Sequence, residues 1–296
     1  MPNPDHNLLR QFSTEVTRLL AAAHPSTVSI TTGRRAISGF FWRPDIVVTA
    51  SEGLDAEDGV EIVVASLAGP GRMKLAGRDP STDIAILKGD AATGAPLALA
   101  THAATAGEVA IVAGRAPHGV SSAVGFVSLA GPEWESMRGG RIDQRIHLDT
   151  RIDVHQEGGP VLNAEGACIG MAALGPRRRT LVIPSSTIER IAGELAQHGR
   201  IKQGYLGVAG QPIRPQGETG RHGLIVLSLD TGGPAHKAGI LQGDIILSVA
   251  GKPIGSPRQL RRSLGPDTVG RSVACAIVRA GAPLTLDVTV AERHPK

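Results

Sequence analysis

The sequence predicts a mainly β protein built from two domains, and three observations carry that prediction. Short runs rich in Val and Ile recur along residues 27–32, 46–49, 60–65, 108–113, 125–129 and 167–172, in a stretch punctuated by Gly, Pro and Asp. Short strands set between turn residues signal a barrel or a sandwich rather than alternating βα units. Gly 38 and Pro 20 supply the turns, and a length of 296 residues is room for roughly two domains. Only 2% of the residues are aromatic, so Val, Ile, Leu and Ala must fill the cores.

The elements follow in order. Leu9, Phe12, Val16, Leu19, Leu20 and Ala23 fall on one face at helical spacing, and Pro25 ends the run, so residues 1–24 read as an amphipathic helix. Its apolar face either packs on the following strands or meets another copy. After the strand-rich region, Ser186-x-x-Glu189 reads as a capping box. Ile188, Ile191, Ala192 and Leu195 give that helix an apolar face, and Gly199 is its stop. Residues 200–203 form a linker. A second domain then reads as strands at 224–229, 244–249, 272–279 and 284–290, with helices at 234–238 and 257–264. The expected division is 1–24 for the helix, 25–200 for the first domain and 201–296 for the second.

Composition excludes several classes of function. Cys168 and Cys275 fall in different predicted domains, so free buried thiols are expected rather than a disulfide. No stretch reaches the ~18–20 apolar residues of a membrane helix, and residues 1–24 hold no apolar run of signal-peptide length. The net charge is +4, and Arg177-Arg178-Arg179 is the densest basic run. With so few aromatic residues to stack on bases, the balance argues against a nucleic-acid partner.

Several segments, in fixed order, resemble one family. Val47-Val48-Thr49-Ala50-Ser51-Glu52-Gly53-Leu54 is similar to I-V-T-x-x-H-V-V. Gly77-Arg78-Asp79-Pro80-Ser81-Thr82-Asp83-Ile84-Ala85-Ile86-Leu87-Lys88 closely resembles a stretch containing D-P-x-T-D-I-A-V-L-K. Gly114-Arg115-Ala116-Pro117-His118-Gly119 and Ala123-Val124-Gly125-Phe126-Val127-Ser128 resemble G-N-P-F-G and T-S-G-I-V-S. His155-Gln156-Glu157-Gly158-Gly159-Pro160 sits in the frame of G-N-S-G-G-P, and Leu181-Val182-Ile183-Pro184-Ser185 resembles F-A-I-P-S. Gly204-Tyr205-Leu206-Gly207-Val208 looks like the start of a PDZ domain. Pro234-Ala235-His236-Lys237-Ala238-Gly239-Ile240-Leu241-Gln242-Gly243-Asp244-Ile245-Ile246 resembles its signature P-A-x-x-A-G-L-x-x-G-D-x-I. Together these resemble the HtrA/DegP family of trypsin-fold serine proteases across residues 10–292. The resemblance implies a double six-stranded β-barrel followed by a PDZ domain, a β-sandwich with two helices.

On that register the triad is degenerate: Glu52 replaces the general-base His, Asp83 keeps the Asp, and Glu157 replaces the nucleophilic Ser. Such a protease needs a hydroxyl nucleophile, an imidazole to move its proton and a carboxylate to orient the imidazole. Glu157 has no proton to give up at neutral pH. Loss of nucleophile or base alone costs about 10⁶-fold in a serine protease. The resemblance therefore implies an inactive pseudoprotease, with His155, Gln156 and Glu157 in the former oxyanion-hole region. Glu157 is a candidate to fold back and plug that hole. Three crowded carboxylates need a raised pKa, a cation or a metal, so Arg151 and Arg115 are candidate partners. Glu52, Asp83 and Glu157, with His155, are candidate metal ligands, although no ligand spacing in the sequence marks a metal site. Ser51, Ser121 and Ser122 are the only nearby hydroxyls for a residual hydrolase.

The PDZ portion looks intact. By resemblance, Tyr205, Leu206, Gly207 and Val208 form a carboxylate loop, and Leu260 and Leu264 line the opposite helix wall. Arg258, Arg261 and Arg262 on that helix point to acidic peptides. The expected function is a scaffold, adaptor or chaperone-like protein that binds a protein or C-terminal peptide and needs no cofactor. The alternatives are a metal- or ligand-binding protein that reuses the old cleft, and a homologue with residual hydrolase activity. Family members trimerise through the N-terminal end, which implies a homotrimer or a subunit of a larger complex. The short loop Gly33-Arg34-Arg35-Ala36-Ile37 lacks the long regulatory segment of many relatives. Most relatives are exported, whereas residues 1–24 point to the cytoplasm, or to the periplasm where a leader has been lost.

Overall fold

The computed structural model describes residues 5–33, 35–55, 61–66, 69–89, 94–175, 179–214 and 222–293. Arg34, Val60, Arg177 and Arg178 of the readings above lie outside them. The chain forms two compact units, Met1–Ile201 and Lys202–Lys296.

The first unit opens with α1 (Asp5–Ala23) and holds two closed six-stranded barrels. The first barrel comprises β1 (Thr27–Thr32), β2 (Arg35–Arg43), β3 (Ile46–Ala50), β4 (Glu61–Ser66), β5 (Gly69–Asp79) and β6 (Ile84–Lys88), closed in the order β1-β2-β3-β6-β5-β4. Next come β7 (Val109–Ala116), β8 (Gly119–Gly131), the short pair β9 (Trp134–Glu135) and β10 (Arg141–Ile142), and β11 (Arg145–Leu148). The second barrel is completed by β12 (Pro160–Leu162), β13 (Cys168–Leu174) and β14 (Thr180–Pro184), in the order β11-β14-β13-β12-β7-β8.

The runs of β-branched residues are explained by burial on both faces. In β3 and β6, Val47, Ala85 and Leu87 point into the first barrel, while Ile46, Val48, Ile84 and Ile86 join a second core shared with the other barrel. Side chains alternate faces along a strand, so a strand buried on both sides shows no polar alternation. The shared core is completed by Ile111, Leu162, Met171 and Ile183 from the second barrel.

Helix α2 (Ser185–His198) lays Ile188, Ile191, Ala192 and Leu195 on that shared core and ends at Gly199, φ 70°, whose N–H donates to the Leu195 carbonyl. The capping box does not form. Strand β14 runs through Pro184, which takes the N-cap position without a side-chain bond, so Ser186 already lies inside the helix. Glu189 instead accepts the indole N–H of Trp42 at 2.6 Å. Helix α1 divides along its length. Leu19 and Ala23 are buried and Val16 and Leu20 pack beside them, whereas Leu9 and Phe12 remain 73% and 47% exposed.

The second unit carries β15 (Gly204–Tyr205), β16 (Val208–Ile213), β17 (Gly223–Leu229), α3 (Pro234–Lys237), β18 (Ile245–Val249), β19 (Lys252–Pro253), α4 (Pro257–Ser263), β20 (Ser272–Arg279), β21 (Ala282–Thr289) and β22 (Ala291–Glu292). Its sheet runs β16-β17-β18-β20-β21, with β19 on β18, and β15 pairs with β22. Leu224, Val226, Ile246, Ile254, Cys275 and Ile277 form a core of its own. Buried Asp244 accepts from both Nε and Nη2 of Arg279, at 2.9 and 2.8 Å, and from the Leu241 N–H. This arginine pairing holds the Asp244 carboxyl below its usual range. Both cysteines are free and buried.

Gly158 marks the tightest point of the first unit. Its φ is +80°, and a Cβ there would lie 2.3 Å from the Ser38 carbonyl oxygen and 2.6 Å from Thr49 Oγ1. A left-handed backbone and an overpacked core each cost about 1–3 kcal/mol. Gly158→Ala is expected to destabilise the unit by about 2–4 kcal/mol, a fall of roughly 5–15 °C in Tm by calorimetry. An unchanged Tm would show that the two segments are not in contact.

Candidate functional site

Three turns of the first unit converge, and each carries one carboxylate. The turn after β3 bears Glu52, the turn between β5 and β6 bears Asp83, and the turn before β12 bears Glu157. Asp83 is the fastener. Its backbone sits at φ +60°, a region Asp and Asn visit more readily than most residues. Its Oδ1 accepts the Glu52 N–H at 2.8 Å, and its carbonyl accepts the Ser51 N–H at 3.1 Å. Glu157 is anchored through its backbone: its carbonyl accepts the Ser38 N–H at 2.8 Å, and the next N–H, of Gly158, donates to Ala172 at 2.8 Å. Ser38 ties the layers together, since its hydroxyl donates to the His155 carbonyl at 2.5 Å and accepts the Arg115 N–H at 2.8 Å.

The electrostatics follow from this crowding. Burial pushes the Asp83 carboxyl up to about 7, and the charges of Glu52 and Glu157 add to the rise against the Glu52 N–H and Arg138. Burial also raises Glu157, helped by Glu52 and opposed by Arg35. Glu157 is only 5% exposed, yet among the described residues no hydrogen bond or salt bridge engages its carboxylate. Glu52 is exposed and pairs with Arg138 Nη1 at 2.9 Å. An exposed pair of this kind contributes about 0–1 kcal/mol.

Three readings from the sequence change. The cationic partners are Arg138 for Glu52 and Arg35 for Glu157, not Arg151 or Arg115. The Arg115 guanidinium is engaged elsewhere, donating to the carbonyls of Thr27 and His24. The Glu157 plug is not formed, because no described N–H donates to its carboxylate. Instead Asp153 Oδ1 accepts the His155 N–H at 2.8 Å, and Gln156 Oε1 accepts the Asp153 N–H at 3.0 Å, so this turn caps itself. The metal ligand set does not assemble: among the described residues no group of three or more His, Cys, Asp or Glu side chains is placed to hold an ion. His155 is turned away, its Nδ1 lying 3.0 Å from the Ala36 carbonyl. A carbonyl only accepts, so Nδ1 carries the proton. Ser51 is buried, and among the described residues Ser121 Oγ is buried without a partner and neither these two nor Ser122 is hydrogen-bonded to a His ring. Arg138 and Asp153 were missed because each lies in a polar turn with nothing in its sequence neighbourhood to mark it.

The second unit carries a groove of about 300 Å³ between the edge strand β16 and α4. All six residues expected there line it: Tyr205, Leu206, Gly207, Val208, Leu260 and Leu264. Gly207 adopts φ +77° to turn the chain into β16. The Gly207 carbonyl accepts from Asp230 N–H and the Leu206 carbonyl from Ala235 N–H. Among the described residues, the N–H groups of Leu206 and Gly207 have no acceptor. Two open donors over an apolar floor suit an anion with an apolar body.

The comparisons agree with this division. Residues 37–171 match the trypsin-like peptidase domain and residues 204–290 the PDZ domain. A probable periplasmic serine endoprotease DegP-like from Brucella suis biovar 1 is 31% identical over 234 residues, covering 74% of this chain and 45% of the relative. The periplasmic pH-dependent serine endoprotease DegQ of Escherichia coli is 30% identical over 232 residues, covering 73% of this chain and 50% of the relative. The chain thus spans about half the length of the curated relatives it matches. Among solved structures, a serine endoprotease from Yersinia pestis aligns with a TM-score of 0.75 at 25% identity, over 94% of this chain and 98% of that one. The HtrA-type protease AlgW with decapeptide, at 20% identity, aligns with a TM-score of 0.74 over 95% and 99% and shares the fold.

Folding raises the Asp83 carboxyl, so the native state holds a proton that the unfolded chain releases. That contribution is complete below the ordinary carboxylate range, near pH 4, and is lost as pH rises through about 7. Asp83→Asn keeps the acceptor for the Glu52 N–H and removes the charge. It is expected to raise Tm at pH 8 by several degrees more than at pH 5 in scanning calorimetry. An equal effect at both pH values, or a loss at pH 8, would contradict the crowding.

Proposed function

We infer that this chain, which belongs to the HtrA/DegP family of trypsin-like peptidase domains joined to a PDZ domain, is a pseudoprotease that works by binding. The observation that supports this most strongly is the contrast between its two sites. The cleft holds Glu52 and Glu157 where proton transfer and nucleophilic attack require imidazole and hydroxyl, and the His155 N–H is occupied by Asp153. The groove of the second unit keeps open N–H donors and apolar walls.

In the cleft, a carboxylate attacking an amide yields a high-energy anhydride and offers no proton to the leaving amine. A Glu52 base has no hydroxyl to activate. In the groove, an extended peptide adds to the free edge of β16, and its terminal carboxylate takes the N–H groups of Leu206 and Gly207. The protein then acts as an adaptor, scaffold or chaperone-like module for a protein partner.

The exposed apolar half of α1, with Leu9 and Phe12, supports a homo-oligomer seated on that face. Light scattering is expected to give a smaller mass for Phe12→Glu than for the wild type, and equal masses would remove that support. The relatives carry periplasmic names, which supports a periplasmic setting over the cytoplasmic one read from residues 1–24. No described helix is long and apolar enough to cross a membrane. Cell fractionation separates the two settings.

The inactive reading is checked with the purified chain, unfolded casein and a fluorophosphonate probe. No cleavage above background and no covalent label are expected. Casein cleavage that survives Glu157→Ala would overturn the reading, and a label on any serine would revive a residual hydrolase.

A further inference from the structure

We propose that the groove between β16 and α4 selects peptide C-termini that carry an acidic side chain one or two residues before the last one. The proposal rests on the peptide-binding reading above and adds the ligand class. Its basis is two arginines, Arg261 and Arg293, that line the groove. Among the described residues neither guanidinium has an acidic partner or a hydrogen-bond acceptor. The comparable arginine of the same unit, Arg279, is consumed by Asp244.

Their places along the groove are fixed by backbone contacts. The Gly204 N–H donates to the Leu264 carbonyl at 3.0 Å, which sets the C-terminal end of α4 beside the carboxylate loop. The Arg293 N–H donates to the Gln203 carbonyl at 2.8 Å, which sets Arg293 at the same end. A peptide whose carboxylate lies in that loop runs antiparallel to β16 and leaves past Gly210. Leu260 and Leu264 then face its last side chain, and Arg293 stands beside its carboxylate.

Arg261 precedes Leu264 by three residues, about 4.5 Å along a helix axis. A strand advances about 3.4 Å per residue. Arg261 therefore meets the peptide one to two residues before its last one. The contact is short as well. Pro212 has no N–H to offer a fourth peptide residue, and the groove lining on β16 ends at Gly210.

The test uses the full chain and fluorescence polarisation with four labelled octapeptides ending in valine. Three differ only at the third residue from the end, bearing glutamate, glutamine or lysine, and the fourth is the glutamate peptide with an amidated terminus. At low salt the glutamate peptide is expected to bind about three- to five-fold tighter than the glutamine one, the range of an exposed ion pair. The lysine peptide is expected to be weaker again, and the differences to shrink at high salt. Arg261→Gln is expected to bring glutamate and glutamine peptides level while leaving the glutamine affinity in place. Arg261→Glu is expected to reverse the order of glutamate and lysine. Equal affinities for the three acid-ended peptides, or a preference that survives Arg261→Gln, would overturn the selectivity and leave peptide binding standing. An amidated peptide that binds as well as its free acid, or no binding by any peptide, would overturn the peptide-binding reading together with the selectivity.

Discussion

Everything in the cleft hangs on Asp83. Its left-handed backbone turns β5 into β6, its carbonyl holds Ser51 and its carboxylate holds the Glu52 amide. The Glu52 turn therefore has its position whether residue 52 is a base or not. The same device that would orient a catalytic imidazole here orients a carboxylate, and the result is like charge gathered in a partly buried space. Arg138 answers Glu52 from solvent, where its attraction is weak. Glu157 has no hydrogen-bonded partner among the described residues, so burial and repulsion fall on the two inner carboxyls.

Catalysis and binding ask different things of a fold. Acyl transfer needs named atoms at three positions, and one wrong side chain removes the reaction. A peptide groove needs an open strand edge, free N–H groups and apolar walls, which many sequences supply. On the proposed reading, that asymmetry explains how one chain holds a catalytic frame without its chemistry next in sequence to a peptide groove. The framework of the cleft still serves the fold. Ser38, Gly158 and Ala172 join its turns whatever stands at 157, and Gly158 leaves no space for a Cβ.

Much of the architecture was legible in the sequence. The strand runs at 27–32, 46–49 and 272–279 fall within β1, β3 and β20 because β-branched runs between turn residues have few other solutions. Gly199 stops α2 as its αL preference requires. The capping box failed since a strand continuing through Pro184 moved the N-cap two residues upstream of Ser186. Long-range electrostatics was the least legible part. Arg35 and Arg138 reach the cleft through tertiary contacts, and no local pattern reports which arginine answers which carboxylate. The one buried carboxylate expected to find backbone donors, Glu157, has none among the described residues, and the capping carboxylate is Asp153, two residues before the amide it serves.

The most direct measurement is a carboxyl-carbon NMR titration of the purified chain, with assignments from Glu52→Gln, Asp83→Asn and Glu157→Gln. Crowding predicts that the Asp83 carboxyl titrates near 7 and that Glu157→Gln lowers it, since a neighbouring negative charge has been removed. An Asp83 carboxyl in the ordinary range, unmoved when Glu157 is neutralised, would contradict a cleft of three opposed carboxylates.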